Sequence, residues 1–149
     1  MNFTLFLDEI RSGEKQQTIR LHRCRDCRGR HRIDRPWMGS EVKLYTGMRR
    51  KGQKAELLGV GIVTSVVLKR FGNLTELDAE LDGFKRGYQP GICERVHNGC
   101  HGRFVGCMAD QERCTPLNKL WKFLYKTYKA QPDTLFEIIS WKLIKEGEA

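Results

Sequence analysis

Residues 54–67 form a long β-type run with Gly59 and Gly61 in its middle. Alternation places Val60, Ile62, Thr64 and Val66 on one face, the period of a half-buried strand. Glycine inside such a run marks a bulge or a bend. The strand is therefore expected to curl, as it does in a small barrel. Glu41–Thr46 alternates in the same way, Gln17–Leu21 is extended, and Leu135–Leu143 closes the chain as a further strand. Phe3, Phe6, Leu7 and Ile10 stand at helical spacing ahead of Gly13, which can end a helix. Thr75-Glu76-Leu77-Asp78 has the form of a capping box with Asp in place of Glu, opening a helix through Leu81. Thr115-Pro116 is an N-cap with proline at the first helical position, followed by an amphipathic series at Leu117, Leu120, Trp121, Leu124, Tyr125 and Tyr128. The fold class is α+β: a small mixed β-barrel with about three helices and two Cys/His-bearing excursions, near residues 22–37 and 85–115. The 149 residues match one domain of roughly average size, so residues 1–149 are read as a single domain.

The net charge of +9 is concentrated. Between Arg11 and Lys54 stand 14 basic and 4 acidic residues, and the rest of the chain is close to balance. Seven arginines and no lysine lie in residues 20–35. Arginine grips phosphate bidentately and stacks on bases. Arg20, Arg23, Arg25, Arg28, Arg30, Arg32 and Trp37 are therefore the candidate nucleic-acid or substrate contacts. The alternative is a solvated basic loop. A cationic substrate is disfavoured, and the partner expected is RNA, another nucleic acid or a modified nucleoside. No run of 18 apolar residues exists to span a membrane. The start of the chain lacks a basic leader and a cleavage site. The expectation is a cytoplasmic protein, monomeric, in a reducing compartment.

There the six cysteines need a role other than disulfides. Cys24-Arg25-Asp26-Cys27 has the spacing of half a zinc knuckle. The other half would come from Cys93, Cys100, Cys107 and Cys114, with His22, His31, His97 and His101 as possible substitutes. A structural zinc would staple the two excursions, and six thiols with four imidazoles could complete two sites. Disulfides, free thiols and a redox pair are the competing readings. No βαβ pattern surrounds Cys24, against a thioredoxin-type role, and four thiolates would leave no open position for a catalytic zinc.

Gly13-Glu14-Lys15-Gln16-Gln17-Thr18-Ile19-Arg20 resembles the G-x-K-x-x-T-x-R motif of the ASCH domain, a PUA-like family. Leu58-Gly59-Val60-Gly61-Ile62-Val63 resembles that family's central strand, and Asp82-Gly83-Phe84 its acid-Gly-Phe element. The resemblance spans roughly residues 3–21, 38–84 and 116–143 and leaves out both excursions. It implies a PUA-like barrel and an RNA-linked role, as a binding module, a ribonuclease, or an amidohydrolase acting on N4-acetylcytidine. It also implies Lys15, Thr18 and Asp82 as a catalytic trio, with Asp one methylene shorter than the family's Glu. Glu80 is a rival for the acid, pointing roughly 200° away on a helix.

In chemical terms, Thr18 could attack an amide carbonyl if a neutral Lys15 took its proton, and Asp82 would orient Lys15. Arg20, two residues along a strand, shares a face with Thr18. The plain alternative is a lysine at a turn and a Thr/Arg pair on a half-exposed strand. A protein-interaction module whose basic face binds an acidic partner is the third reading.

Overall fold

The computed structural model describes residues 1–22, 37–47, 51–52, 54–93 and 114–144. The chain divides into two compact units, Met1–Leu68 with Phe136–Ala149, and Lys69–Leu135.

The first unit is built on a five-stranded mixed sheet. Its strands are β1 (Asn2–Phe3), β2 (Gln17–Leu21), β3 (Glu41–Thr46), β4 (Glu56–Arg70) and β5 (Leu135–Leu143), in the order β1-β3-β4-β5-β2. β1 runs parallel to β3, while β3 with β4 and β2 with β5 are antiparallel. The alternation read from the sequence holds in β3, where Val42 and Leu44 are buried between exposed Glu41 and Lys43.

The bend expected in β4 is a bulge. Leu44 pairs with Gly59 but Tyr45 pairs with Leu57, so Leu58 is the extra residue. That one-residue insertion moves Leu58 into the core beside Val63. The face carrying Val60, Ile62, Thr64 and Val66 is not the buried one. Val60 and Ile62 are half-buried, and Thr64 and Val66 are exposed. Phe3, Ile10, Val42, Leu44, Leu58, Val63, Ile139 and Trp141 form this unit's core, each full burial worth roughly 1.5–3 kcal/mol.

The helix at the start of the chain is shorter than its apolar spacing suggested. Phe3 belongs to β1, fastened to β3 by the Tyr45 amide on the Met1 carbonyl at 2.7 Å. Phe6 takes a left-handed conformation (φ 58), so α1 begins at Leu7 and runs Leu7–Ser12. Gly13 ends it at φ 83, as read. Strand pairing has overridden local periodicity here.

The second unit holds a 3-10 turn (Phe71–Asn73), α2 (Glu76–Asp82) and α3 (Pro116–Tyr128). Both caps follow the sequence. The Thr75 hydroxyl accepts from the Asp78 amide at 3.2 Å and Asp78 accepts from the Thr75 amide at 2.9 Å. Thr115 accepts from the Asn118 amide at 3.1 Å, and Pro116 has no amide hydrogen to satisfy. The remaining donor of that turn, the Leu117 amide, bonds Glu76 Oε2 at 3.1 Å, which ties α3 to α2. Leu120 and Leu124 face inward, and Trp121 donates its indole N–H to the Phe71 carbonyl at 3.2 Å. No helix among the described residues is long and apolar enough to cross a membrane.

Candidate functional site

In the first unit, the turn between α1 and β2 delivers Lys15 and β2 delivers Thr18 and Arg20. Lys15 stands at that turn and is only 4% exposed. Its amide donates to the Glu9 carbonyl at 2.9 Å, and its Nζ lies 4.9 Å from the centre of the Phe6 ring. Such a cation–aromatic contact offsets part of the cost of burying an ammonium. Thr18, at 7% exposure, is buried as well.

Thr18 pairs with Ile139 and Arg20 with Glu137 in the β2/β5 ladder. Residues directly opposite in an antiparallel ladder share a face, so Thr18, Arg20, Ile139 and Glu137 lie on one side of the sheet. The Arg20 guanidinium carbon sits 5.3 Å from the centre of the Phe3 ring on that side. His22 Nδ1 donates to Glu137 Oε1 at 2.8 Å. That contact engages Nδ1 alone and does not bear on His22 as a possible metal ligand through its other ring nitrogen.

Glu137 went unnoticed by sequence reasoning. Its signal was present: the one acid of its strand, set among Phe136, Ile138 and Ile139. An ionised group kept in such a strand needs partners, and Arg20 and His22 stand in position to provide them.

In the second unit, Asp82 is the last residue of α2 and is 5% exposed. Gly83 caps the helix at φ 111, a left-handed conformation that glycine adopts without strain, and turns the chain so that Phe84 is buried. Glu80 is exposed. Of the two rival acids, the one beside Gly-Phe is buried.

Lys119 is buried outright in this unit. Its ammonium donates to the Lys85 carbonyl at 2.6 Å, to the Gly87 carbonyl, and to Gln89 Oε1 at 3.2 Å. Cys93 and Cys114 are both buried and both free of disulfides.

Trp37 is 62% exposed on a turn that precedes β3. That turn is firmly held: the Trp37 amide donates to Ser40 Oγ at 3.1 Å, and the Gly39 amide donates to the Val63 carbonyl at 2.8 Å. Arg23, Arg25, Arg28, Arg30 and Arg32, with Cys24, Cys27, Cys100 and Cys107, lie outside the described residues. Among the described residues no group of three or more His, Cys, Asp or Glu side chains could hold a metal ion.

No family model matches the chain, and no curated protein matches it. It is similar to the solved structure of an ASCH domain from Lactobacillus crispatus JV V101, at 15% identity and a TM-score of 0.44, over 92% of this chain and 69% of that one. A likeness that distant transfers neither a residue role nor an activity.

Proposed function

We propose that this chain is a nucleic-acid-binding module of the ASCH, PUA-like kind, with RNA as its first partner. The observation that carries the reading is Trp37. A large aromatic side chain stands exposed on a well-held turn, directly after a segment with seven arginines. Base stacking on an aromatic face beside phosphate-gripping cations is the general way single strands are held. Barrel closure fits the sheet: Arg20 in β2 lies against Phe3 in β1, and these are the two end strands of the order β1-β3-β4-β5-β2. The module is read as a monomer of a reducing compartment, its fold reinforced by a structural zinc on cysteines of the set Cys24, Cys27, Cys93, Cys100, Cys107 and Cys114.

Fluorescence anisotropy with a labelled single-stranded RNA tests this. Trp37→Ala should weaken binding by about 1–3 kcal/mol, the worth of one stacked base. Absence of measurable binding at low salt would sink the proposal.

A second reading is favoured by burial. Lys15, Thr18 and Asp82 are all buried, although two of them are charged types that seldom are. The first unit alone withdraws a potential base, Lys15, and a potential nucleophile, Thr18, from water, which supports a hydrolase acting on an N-acylated cytidine. With Lys15 in its neutral amine form, the Thr18 oxygen would bond to the amide carbonyl carbon while its proton passes to Lys15 Nζ. Collapse would then break the C–N bond, the proton leaving with the amine. Water giving a proton to Lys15 Nζ would attack the Thr18 ester, release the acyl group as its carboxylic acid and restore the Thr18 hydroxyl. Arg20, on the Thr18 face, would steady the developing oxyanion. Purified protein should turn over N4-acetylcytidine, and Lys15→Ala and Thr18→Ala should each reduce that to background. Undiminished turnover in both variants would remove the proposed roles.

A further inference from the structure

We propose that residues 64–68 of β4 are a docking edge for an extended acidic peptide segment of a partner protein, which adds to the sheet as a further strand. This goes beyond the nucleic-acid reading and does not rest on it.

β4 outruns its neighbour. It has 15 residues where β3 has 6. Their register ends at Glu41 opposite Ile62. One more pair of bonds follows, the Val63 amide on the Ser40 carbonyl at 2.9 Å and the Gly39 amide on the Val63 carbonyl at 2.8 Å. Gly39 then turns the chain away at φ 89, and the Ser40 amide closes that turn on the Trp37 carbonyl at 2.9 Å. β4 lies between β3 and β5 in the sheet order. From Thr64 onward, its β3 side therefore faces no strand among the described residues.

Alternate residues of a strand direct their amide and carbonyl to the same side. Val63 directs both toward β3, so Ser65 and Val67 direct theirs the same way, past the end of β3. Val60 faces the other way, its carbonyl accepting from the Ile144 amide at 2.9 Å. Thr64, Val66 and Leu68 follow Val60, toward β5. Ser65 and Val67 thus present a row of donors and acceptors that another extended backbone matches.

The side chains are open as well. Val66, Val67 and Leu68 are 37%, 48% and 49% exposed. Consecutive residues project to opposite faces, so both faces of the strand are open at this point. Sheet edges are usually guarded by a charge or a proline, and residues 64–68 hold neither. Outward backbone groups flanked by bare aliphatic side chains are what takes up a strand from another chain.

Charge selects the occupant. The unit that carries this edge also carries the Arg11–Lys54 stretch, with its 14 basic and 4 acidic residues, in a chain of net charge +9. Two copies would bring like charge together across a short edge, whereas an acidic segment is drawn to it. RNA has no alternating amides and carbonyls to pair with Ser65 and Val67.

The test uses the full chain and a fluorescein-labelled peptide with a Val-Thr-Val-Thr-Val centre between Asp-Glu pairs, followed by anisotropy. The wild type should bind it, and a peptide with Lys-Lys in place of each Asp-Glu should bind about tenfold more weakly. Val67→Pro removes an outward amide hydrogen and leaves the ladder to β5 intact. Val67→Glu sets a like charge against the acidic peptide. Each should weaken binding about tenfold, the effect of leaving a backbone group unpaired at an interface. Circular dichroism checks that both fold, and should Val67→Pro fail, Val67→Glu decides the point. Hydrogen exchange on the wild type needs no variant: the peptide should slow the Ser65 and Val67 amides and leave the Val66 amide, which faces β5, as it was. No binding by the wild type, undiminished binding in the folded variants, or unchanged exchange at Ser65 and Val67 overturns the docking edge. Equal affinity for the basic peptide overturns the acidic partner. Self-association in sedimentation that Val67→Glu abolishes overturns it in favour of a second copy.

Discussion

A methyl group added at Gly61 would stand 3.0 Å from Trp141 Cδ1 and 3.2 Å from the Lys142 carbonyl oxygen. The first neighbour is the ring of a fully buried tryptophan and the second is backbone, so neither can give way easily. At Gly59 the same methyl would meet Leu143 Cδ2 at 3.1 Å, the far end of a half-buried side chain that can turn aside. Gly61→Ala should therefore cost about 1–3 kcal/mol of stability by overpacking, and Gly59→Ala clearly less. Urea titration of the two variants measures this; equal losses would mean that Trp141 is not the obstacle. The need for glycine was visible in the sequence, because glycine inside a β-run has few other reasons to be there. Which neighbour requires it was not visible, since Trp141 lies 80 positions away. The site divides similarly. Lys15, Thr18 and Asp82 were picked out through motif resemblance and all three are buried. The position of Glu137 opposite Arg20 depends on a strand register that only the folded sheet sets.

Helix ends were the most legible elements, because capping is a local bargain between a side chain and amides three residues away. The box at Thr75 and Asp78 and the Thr115-Pro116 start are both present. The face of β4 was less legible. One extra residue at Leu58 inverts the alternation, and a bulge leaves no more trace in sequence than a nearby glycine. Removing the cap hydroxyl by Thr75→Ala should cost about 1 kcal/mol, read from the denaturation midpoint. Asp78 adds a pH dependence. Burial alone would raise its carboxyl, but the bond from Lys69 at 2.7 Å and those from Thr75 prevail and hold it below the ordinary value. A folded-state pKa below the unfolded one stabilises fully above the ordinary carboxylate range, and that contribution is lost as pH falls through the lowered folded value. Asp78→Asn should therefore be less stable at neutral pH and show a flatter loss of stability on acidification. Parallel acid limbs in wild type and variant would show that Asp78 contributes nothing to that slope.

The whole molecule carries +9, and its excess sits between Arg11 and Lys54. That placement separates two ways in which a basic protein can bind RNA. If the charge acted only as a diffuse field, removing any five cations would have the same effect. If the arginine segment lies along the phosphates, removing five from it should release specific contacts. Each phosphate contact on a single strand contributes about 0.7 to the slope of log affinity against log salt. Replacing Arg23, Arg25, Arg28, Arg30 and Arg32 by Gln should then lower the slope by roughly 3, if most of them touch phosphate. Removing five cations that lie outside the Arg11–Lys54 span (Lys69, Arg70, Lys122, Lys126 and Lys142) changes the net charge equally and should leave the slope nearly intact. Anisotropy titrations of both variants across a salt series make the comparison. Equal slopes in the two would place the affinity in the field of the molecule as a whole and take it from the arginine segment. Unequal slopes would tie it to the residues that lead into Trp37, where stacking and phosphate contact can act on the same strand.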